Sequence, residues 1–429
     1  MHCLMNHDLQ DRIRRRAGRI FRQYVPFRQH YRPTGVHASS QALAALPNSG
    51  AIYHEVVPAH TSYLPITDAY QRAASVYEGS THHKPHQEEE VPAACVLELA
   101  KGRLYVDNWD SVAVIAADGK LVGDVSFQHS RKGWKMTPPE ENNIFQQRFF
   151  RPPLELSGTV CSLLGGGGAA MGNYYHWLID SLPRLHLLQA AGELEHFDYF
   201  VIYDKEHWFA VETLTALGIC PTQIIDVTTH PHIRAERLLV TTPVRGTGNH
   251  VPEWACQFLR DAFLPAPPVG LSFSPYVYIS RRDAKMRQVL NEDEVEAVLR
   301  PLGFETYMLS NLSFAEKRAL FSQARVIVSP IGAGLANVVF APVGTPLLEL
   351  MPRNFVMPEH RDIALRVGLA YHWLICQSPE TPAGIFEARQ IDLIVDPGEL
   401  RFRVLGLLSQ LADAEKAAAA IPTLARTEG

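Results

Sequence analysis

One short stretch of the sequence, MGNYYHWLIDSLPRL, carries more polar chemistry than a helix that only fills a core requires. Its residues His176, Asp180 and Arg184 recur at every fourth position, which places them on one face of a helix. A carboxylate beside an imidazole can act as a general base that takes a proton from a hydroxyl group, with the arginine orienting it. We therefore identify Asp180 as the candidate base and His176 as its neighbour and rival. The structural alternative is that His176 and Asp180 bond each other and Arg184 fixes a loop.

The surroundings of this stretch favour exposure of its first turn. A run of glycines at 165–168 precedes it, and Pro183 must kink or restart the helix. Both features can present the first turn to a substrate. The aromatic residues Tyr174, Tyr175 and Trp177 are compatible with a stacking surface for a sugar, although aromatic residues at this spacing also commonly pack in a core.

A second group of polar and glycine residues follows three predicted strands in the later half of the chain. Arg281 and Arg282 follow a strand at 276–280, Gly332 and Gly334 follow one at 326–329, and Glu349 ends one at 347–350. Ligands of parallel sheets bind beyond the carboxyl ends of the strands, so we expect these residues to lie together. Arginines and the amides of a helix N-terminus bind phosphates, and a carboxylate accepts from ribose hydroxyls. The group therefore predicts a site for a nucleoside diphosphate.

The elements that must position these residues alternate between strand and helix. Strands are predicted within 197–204, 223–227, 237–242, 276–280, 304–309, 326–329 and 347–350. Helices are predicted within 208–218, 252–263 and 292–300, and a further helix is predicted to begin at Ser313 with a capping box to Glu316. Such alternation is typical of parallel sheets with helices on both faces. Two successive sets predict an α/β protein with two Rossmann-like domains that meet at a cleft. A β-rich stretch at 95–127 precedes them, with expected hairpin turns at Lys101-Gly102 and Asp118-Gly119.

Changes of composition along the chain predict four segments. Residues 1–92 form a basic arm followed by an irregular segment, and residues 93–268 form the β-meander with the first Rossmann-like domain. The second Rossmann-like domain spans 269–375, and 376–429 is a strand and helical segment that packs back on the domains. The boundary between the two domains falls near PAPPVGLSFSP, because prolines and glycine interrupt both patterns there.

Composition narrows the class of protein. The chain has 429 residues, 46% of them hydrophobic and 20% charged, which is typical of a folded protein. Its formal net charge of −5 gives no overall attraction to nucleic acid. Its six cysteines include no CxxC pair, which argues against a zinc site or a disulfide framework and favours a reducing compartment. We see neither a signal peptide nor an apolar run of membrane-spanning length, and we expect a cytoplasmic protein.

Two charged segments near the N-terminus allow more than one interpretation. Seven arginines between Arg12 and Arg28 lie on a stretch with helical hydrophobic spacing, which suits contact with the inner face of an anionic membrane or docking on protein. The run STHHKPHQEEE contains His82, His83 and His86, which are possible metal ligands, but it has no period and is typical of a solvated loop. We expect no metal site.

Three motifs together resemble glycosyltransferase family 61. They are NYYHWLIDSLPRL, YISRRDAKMRQVLNEDEV and VSPIGAGLANVVFAPVGTPLLELMP, and the resemblance covers roughly residues 95–375. It implies a GT-B arrangement, with a nucleotide-sugar donor, expected to be a UDP-sugar, on residues 269–375 and a saccharide or glycolipid acceptor on 93–268. It also implies inverting transfer without an essential metal or other cofactor, in surface or capsular polysaccharide biosynthesis. Within the motifs Asn173, Arg184, Ala333 and Asn337 are expected to contact substrate or donor.

One departure from the family pattern opens an alternative. Members of the family usually have a histidine directly before GAG, where this chain has Ile331, so a catalytically inactive relative that binds a nucleotide or glycan is the second hypothesis. A dinucleotide oxidoreductase is disfavoured because no GxGxxG fingerprint follows a strand. The chain has no D-x-D triplet, so we expect Arg281, Arg282 and loop amides to stabilise the leaving diphosphate.

Overall fold

A computed structural model describes residues 17, 29–74, 87–108, 111–129, 136–165, 171–192, 197–246, 248–265 and 270–420, and every structural statement below concerns these residues. They divide into two compact units. Unit 1 takes its residues from Met1–Ala59, Pro92–Asn173 and Asp180–Thr247, and unit 2 from His60–Val91, Tyr174–Ile179 and Gly248–Gly429. The chain therefore passes between the units several times, and the short segment Tyr174–Ile179 belongs to unit 2 although its neighbours belong to unit 1.

The described strands are numbered in chain order. They are β1 (Val36–His37), β2 (Ala51–Val57), β3 (His60–Tyr63), β4 (Glu88–Val91), β5 (Ala94–Ala100), β6 (Arg103–Asn108), β7 (Ser111–Ile115), β8 (Leu121–Val122), β9 (Phe127–Gln128), β10 (Leu154–Ser162), β11 (Tyr199–Ile202), β12 (Ile224–Asp226), β13 (His232–Thr241), β14 (Tyr276–Ser280), β15 (Glu305–Met308), β16 (Val326–Pro330), β17 (Pro346–Pro352) and β18 (Ala370–Cys376).

The described helices fall mostly between these strands. They span Ser40–Ala44, Asp68–Ala74, Tyr174–His176, Arg184–Ala190, Trp208–Ala216, Glu253–Phe263, Glu292–Leu299, Phe314–Gln323, Glu359–Arg366, Ile385–Ala388 and Pro397–Ala420, with a π-helical turn at Trp177–Ser181 and a 3₁₀ helix at Ala333–Phe340. The mixture of helices and several sheets makes the chain an α/β protein, as the alternating pattern predicts. No described helix combines the length and hydrophobicity needed to cross a bilayer.

The sheet of unit 1 contains four parallel strands in the order β13-β10-β11-β12. Numbered along the chain, they stand 4-1-2-3, so the order reverses between β10 and β13. Such a reversal is the topological switch point at which α/β proteins bind ligands. The loops that follow Ser162 and Thr241 are therefore the first places to look for a site in this unit.

The β-rich stretch belongs to the same sheet and corrects one predicted hairpin. β5 and β6 pair in turn with the two halves of β13, so the chain continues along one edge instead of turning back at Lys101-Gly102. Lys101 has a left-handed φ of 54°, and a side chain at Gly102 would meet Leu99 and Leu238 at 2.8 and 2.9 Å. Lys101 and Gly102 therefore form an irregularity between β5 and β6, which together pair with β13 as one long strand would. The turn at Asp118-Gly119 is confirmed, since β7 and β8 pair across it.

The sheet of unit 2 is wholly parallel, with the order β15-β14-β16-β17-β18. Along the chain this order is 2-1-3-4-5, which places the switch point between β14 and β16. β14 covers the same five residues that the sequence predicts. Its loop begins at Arg281, and the loop after β16 begins at Ile331. Two of the three predicted phosphate-binding loops thus follow the two strands of the switch point.

Separate apolar cores hold the two units. In unit 1 the core includes Leu97, Val114, Val160 and Leu238, all of them almost fully buried. In unit 2 buried side chains of the sheet pack with the final helix, whose contributions include Leu400, Val404 and Leu407. The alternation of buried positions along that helix explains why it packs on the sheet through one side only.

The segment before residue 92 is more regular than expected. It contains β1 to β4 and two short helices, and β3 pairs with β4 in a separate two-stranded sheet of unit 2. β3 and β4 are short and contain few apolar residues, so they give almost no sequence signal. The arginine-rich arm between Arg12 and Arg28 and the histidines at 82, 83 and 86 lie outside the described residues. The GT-B arrangement and the four segment boundaries stay predictions.

Candidate functional site

The switch point of unit 2 holds the guanidinium group of Arg281. Its Nε and Nη2 donate hydrogen bonds to the carbonyl oxygens of Arg287 and Met286, at 3.1 and 2.8 Å. Gly332 stands opposite, and a methyl group at that position would overlap Nη1 of Arg281. Gly332 is extended, with a φ of 179°, so the position requires glycine for space and not for handedness. The sequence prediction that Arg281 and the glycine loop lie together agrees with this geometry.

The rest of the glycine loop is held by its own helix. Gly332 caps the 3₁₀ helix Ala333–Phe340, and a side chain at Gly334 would collide with Leu309. Asn337 is fully buried, donates to the carbonyl of Gly334 at 2.7 Å, and accepts from the hydroxyl of Tyr174 at 2.7 Å. Both bonds are made within the protein, so the Asn337 amide fixes the glycine loop against Tyr174. Ala333 is half-buried at the start of the helix.

Two further arginines belong to this region. Burial lowers the pKa of Arg287 to about 10, and the charges of Arg281 and Arg389 contribute to that lowering, whereas Glu359 and Glu349 act in the opposite direction. The Arg287 guanidinium stands over the ring of Phe355 at 5.4 Å, and its buried Nε has no hydrogen-bond partner. Three like charges in one partly buried place favour the binding of an anion. Sequence reasoning missed both residues, although Arg287 lies inside the YISRRDAKMRQ motif.

Arg282 has a different environment from its neighbour. Its side chain is 45% exposed and forms ion pairs with Glu292, Asp293 and Glu296 at 3.1, 2.6 and 3.5 Å. Glu292 also accepts from the hydroxyl of Tyr278 at 2.9 Å. These carboxylates neutralise Arg282 and draw it along the helix Glu292–Leu299. The two adjacent arginines are therefore not equivalent.

Glu349 is buried inside β17 and not exposed at the strand's end. Its exposure is 0%, and its carboxylate accepts from Nδ1 of His360 and from the hydroxyl of Tyr371, both at 2.8 Å. The strand continues to Pro352, which explains why the predicted end was too early. His360 also contacts the ring of Tyr175 edge-on at 5.6 Å. Glu349 thus anchors a buried network and, being fully buried, offers no exposed oxygen to a ribose hydroxyl.

Ile331, at the position of the family histidine, faces an apolar cluster. It is 2% exposed and packs in one buried group with Tyr70, Met351 and Phe355. Its backbone N–H donates to the carbonyl of Leu350 at 2.9 Å. An isoleucine at this position contributes to the core of unit 2, and the loop keeps its regular pairing with β17.

The switch point of unit 1 brings Asp180 and Arg245 together. Nε and Nη2 of Arg245 donate to the two carboxylate oxygens of Asp180, at 2.7 and 3.0 Å. Such a bidentate pair fixes both groups and favours the carboxylate anion. Arg245 follows β13 at the carboxyl edge of the sheet, but only its pairing with Asp180 in the structure identifies it as a site residue. It is a third residue that sequence reasoning missed.

Arg184 does not orient the Asp180 carboxylate, which corrects the sequence interpretation. Its Nε donates to the backbone carbonyl of Asp180 at 3.0 Å, and Nη1 donates to the carbonyl and hydroxyl of Thr241 at 3.0 and 2.9 Å. Burial lowers the pKa of Arg184 to about 10. Arg184 therefore attaches the motif helix to the end of β13. This role agrees with the structural alternative, in which Arg184 fixes part of the protein and does not contact a substrate.

The geometry of the motif itself departs from a uniform helix. Tyr174–His176 is α-helical, Trp177–Ser181 is π-helical, and the α-helix restarts at Arg184 after Pro183. The restart at the proline was predicted. The π turn was not, and because it holds more residues than an α turn, spacing by four no longer places His176 and Asp180 on one face. His176 belongs to unit 2 and Asp180 to unit 1, whereas Asn173, half-buried, ends a segment of unit 1.

The glycines ahead of the motif make close contacts where they are described. A side chain at Gly165 would approach Oγ of Ser181 at 2.7 Å and the carbonyl of Asp180 at 2.9 Å. Gly165 is therefore needed for close packing against the motif, and the predicted open approach along 166–168 lies outside the described residues. Among the described residues no group of three or more His, Cys, Asp or Glu side chains is arranged to hold a metal ion.

Parallel sheets with charged side chains at their switch points define a class of α/β proteins that bind nucleotides and related ligands. The family model for glycosyltransferase 61 matches residues 174–348. Beta-1,2-xylosyltransferase XYXT1 of Oryza sativa subsp. japonica is 21% identical over 243 residues, which are 50% of this chain and 51% of the relative. Protein O-linked-mannose beta-1,4-N-acetylglucosaminyltransferase 2 of Bos taurus is 26% identical over 215 residues, 46% of this chain and 36% of the relative.

Residues 174–348 thus match the glycosyltransferase 61 family, and both curated relatives are named as glycosyltransferases. The chain spans about half the length of the rice relative and about a third of the bovine one. A solved structure, the bacterial iron-containing dodecameric glycosyltransferase TibC from enterotoxigenic E. coli H10407, is similar over 79% of this chain and 98% of that chain. Its sequence identity is 14% and its TM-score 0.25, so no structural argument follows from it.

Proposed function

We propose that this chain is a glycosyltransferase that moves a sugar, with inversion, from a nucleotide-sugar donor to a saccharide or glycolipid acceptor. The family match over residues 174–348 and the printed names of both curated relatives support a transferase. The observation that carries the proposal is the Arg281–Gly332 contact at the switch point of unit 2. There two backbone carbonyl oxygens hold the guanidinium group of Arg281. The group faces the loop at Gly332, which has no side chain.

Unit 2 is the proposed donor site. Arg281, Arg287 and Arg389 supply positive charge, and the start of the helix Ala333–Phe340 supplies backbone N–H groups, which together suit a diphosphate. Arginines fixed before the donor arrives stabilise the charge that develops on the leaving diphosphate without reorganising. This donor is proposed to be a UDP-sugar, and the arginines are proposed to replace a metal ion at the diphosphate.

Unit 1 is the proposed source of the catalytic base. Inverting transfer requires a group that accepts the acceptor hydroxyl's proton while that oxygen attacks the anomeric carbon. The Asp180 carboxylate is the candidate, because the bidentate pair with Arg245 holds it in a fixed position at the switch point of the unit 1 sheet. Arg245 positions this carboxylate and at the same time reduces its basicity, so His176 stays the rival. The product is proposed to enter a surface or capsular polysaccharide, assembled on the cytoplasmic side with the basic arm as a membrane contact.

The experiment compares nucleotide binding by Arg281→Ala and Arg282→Ala with isothermal titration calorimetry, using UDP as the probe. Loss of charge-assisted bonds should weaken UDP binding by Arg281→Ala about 10-fold or more. Arg282→Ala should change the affinity less than about 3-fold, because its charge is already paired and exposed. Equal affinities for both variants and the wild type would remove the diphosphate from this switch point. Hydrolysis of UDP-sugars by the wild type separates an active enzyme from an inactive relative.

A further inference from the structure

The first residue of the motif helix is bonded to the helix that follows the glycine loop of unit 2. The segment Tyr174–Ile179 belongs to that unit, and the hydroxyl of Tyr174 donates to Oδ1 of Asn337 at 2.7 Å. Asn337 is 0% exposed and lies in the helix Ala333–Phe340. Without this bond a fully buried amide oxygen would lose its donor, which is costly. The bond therefore holds the motif and the helix in place.

The direction of this bond follows from the other end of the Asn337 amide. Its Nδ2 donates to the backbone carbonyl of Gly334 at 2.7 Å, and a carbonyl oxygen can only accept. The amide oxygen therefore faces Tyr174, whose hydroxyl must donate. One amide thus connects the Tyr174 side chain to the backbone of the glycine loop, and a phenyl ring at position 174 could not make that connection.

The ring of Tyr174 is held as well as its hydroxyl. Nζ of Lys317 lies 5.6 Å from the ring centroid and donates to the carbonyl of Leu312 at 2.6 Å. Lys317 is 3% exposed, and a desolvated ammonium group interacts more strongly with an aromatic face than an exposed one does. It lies in the helix Phe314–Gln323, whose N-terminus a capping box fixes. Lys317 thus occupies one face of the ring, where the sequence allowed a sugar to stack.

The glycine loop needs an external support because of its own composition. A side chain at Gly332 would collide with Arg281. One at Gly334 would collide with Leu309, so neither position tolerates a side chain. Glycine, however, loses more conformational freedom than any other residue when it becomes ordered. An anion site built from backbone N–H groups depends on a single conformation of that backbone, and the bond from Asn337 supplies a constraint that the glycines lack.

We propose that Tyr174 is a positioning residue of the donor site, which holds the glycine loop through Asn337 in the conformation that binds the diphosphate. This inference rests on the proposed function and adds a role for the start of the motif. In this scheme Tyr174 contacts neither the nucleotide nor the reacting atoms. The motif then divides into a part that supports the donor loop in unit 2 and, beginning at Asp180, a part in unit 1 that carries the candidate base.

The first test measures UDP binding by full-length Tyr174→Phe in calorimetry. The substitution keeps the ring and removes the donating hydroxyl, so UDP affinity should fall about 5-fold, the effect of losing one hydrogen bond that holds the binding conformation. Tyr307→Phe is the matched control, because Tyr307 is also half-buried in unit 2 and its hydroxyl donates to Glu305 at 2.6 Å. This control should bind UDP as the wild type does. A lower melting temperature with wild-type UDP affinity in Tyr174→Phe would make the hydroxyl purely structural and overturn the proposal.

Hydrogen exchange gives a second readout that does not depend on the donor. Without nucleotide, the backbone N–H groups of residues 331–340 should exchange roughly 3-fold faster or more in Tyr174→Phe than in the wild type, whereas those of β17 should not change. Unchanged exchange at 331–340 would overturn the proposal even if the wild type binds UDP. Faster exchange there, in a protein whose wild type binds no UDP, would refute the donor site and support the holding of the loop by Tyr174. The two failures are therefore distinguishable.

Discussion

Arg281 and Gly332 occupy one space at the switch point of unit 2: a methyl group on the glycine would take the position of Nη1 of the arginine. The arginine cannot move away freely, because two carbonyl oxygens hold its Nε and Nη2. The glycine is therefore part of the proposed anion site although it has no side chain to contribute. Its role is to let a fixed guanidinium group approach the loop.

Substitution of that glycine tests the relationship directly. Gly332→Ala should push the Arg281 guanidinium off its two carbonyl acceptors and weaken UDP binding about 10-fold or more in calorimetry, since a charge-assisted bond is lost. Gly406→Ala is the control, because the added methyl group would meet nothing within 4 Å. Wild-type affinity in Gly332→Ala would show that the guanidinium does not bind the nucleotide.

The second prediction concerns the base. Asp180→Asn keeps the size of the side chain and removes its ability to take a proton, so turnover should fall roughly 100-fold or more with UDP affinity unchanged. Arg245→Lys serves as the control for position: it retains the positive charge and loses the bidentate geometry, and should retain more turnover than Asp180→Asn. Near-normal turnover by a folded Asp180→Asn protein would make the pair structural and transfer the role to His176 or another group.

The third prediction concerns metal ions. Fixed arginines beside the diphosphate make a metal unnecessary in the proposed mechanism, and the sequence has no D-x-D triplet. UDP-sugar hydrolysis should therefore continue at the same rate in excess EDTA. Activity that disappears with EDTA and returns with added Mn²⁺ or Mg²⁺ would show that a metal ion shares this role. Heat-denatured protein supplies the background rate.

The sequence predicts the positions of strands and helices better than it predicts which side chains pair with each other. Strand periodicity gave β14 at its observed bounds, and the rule for parallel sheets brought Arg281 and the glycine loop to one switch point, whereas phosphate binding by these loops stays a prediction. These successes depend on local pattern and on one rule of parallel sheets. The Asp180–Arg245 pair joins residues 65 positions apart, and neither residue type nor spacing reveals it.

Two candidate residues have a different environment from the one expected. Arg184 was assigned to substrate from its place in the motif, and Glu349 to ribose from its place near a strand end, but both are buried and bonded within the protein. The π turn at Trp177–Ser181 likewise changes which residues share a face, and no residue in that run announces it. Burial and helix type are tertiary properties, which a single sequence reports poorly.

The last prediction uses a buried acid outside the proposed site. Asp362 is 1% exposed, its Oδ2 has no hydrogen-bond partner, and Nη1 of Arg361 lies 3.5 Å from Oδ1. Burial raises the pKa of Asp362 to about 8, with Arg361 acting in the opposite direction. The folded protein therefore keeps a proton on Asp362 at pH values where the unfolded chain, with an ordinary pKa of about 3.9, has lost it.

The sign of the effect follows from this difference. Because the folded state binds more protons, its free energy of unfolding falls as the pH rises from about 4 to about 8, and this contribution is lost above that window. Asp362→Asn resembles the protonated form and should make the melting temperature less dependent on pH between about 6 and 9, with a value at the alkaline end no lower than that of the wild type. Circular dichroism melts at several pH values measure this. Asp118→Asn is the control, since the pKa of Asp118 is lowered and its titration lies at acidic pH. Parallel pH profiles for Asp362→Asn and the wild type would show that the buried carboxyl group does not titrate in this range.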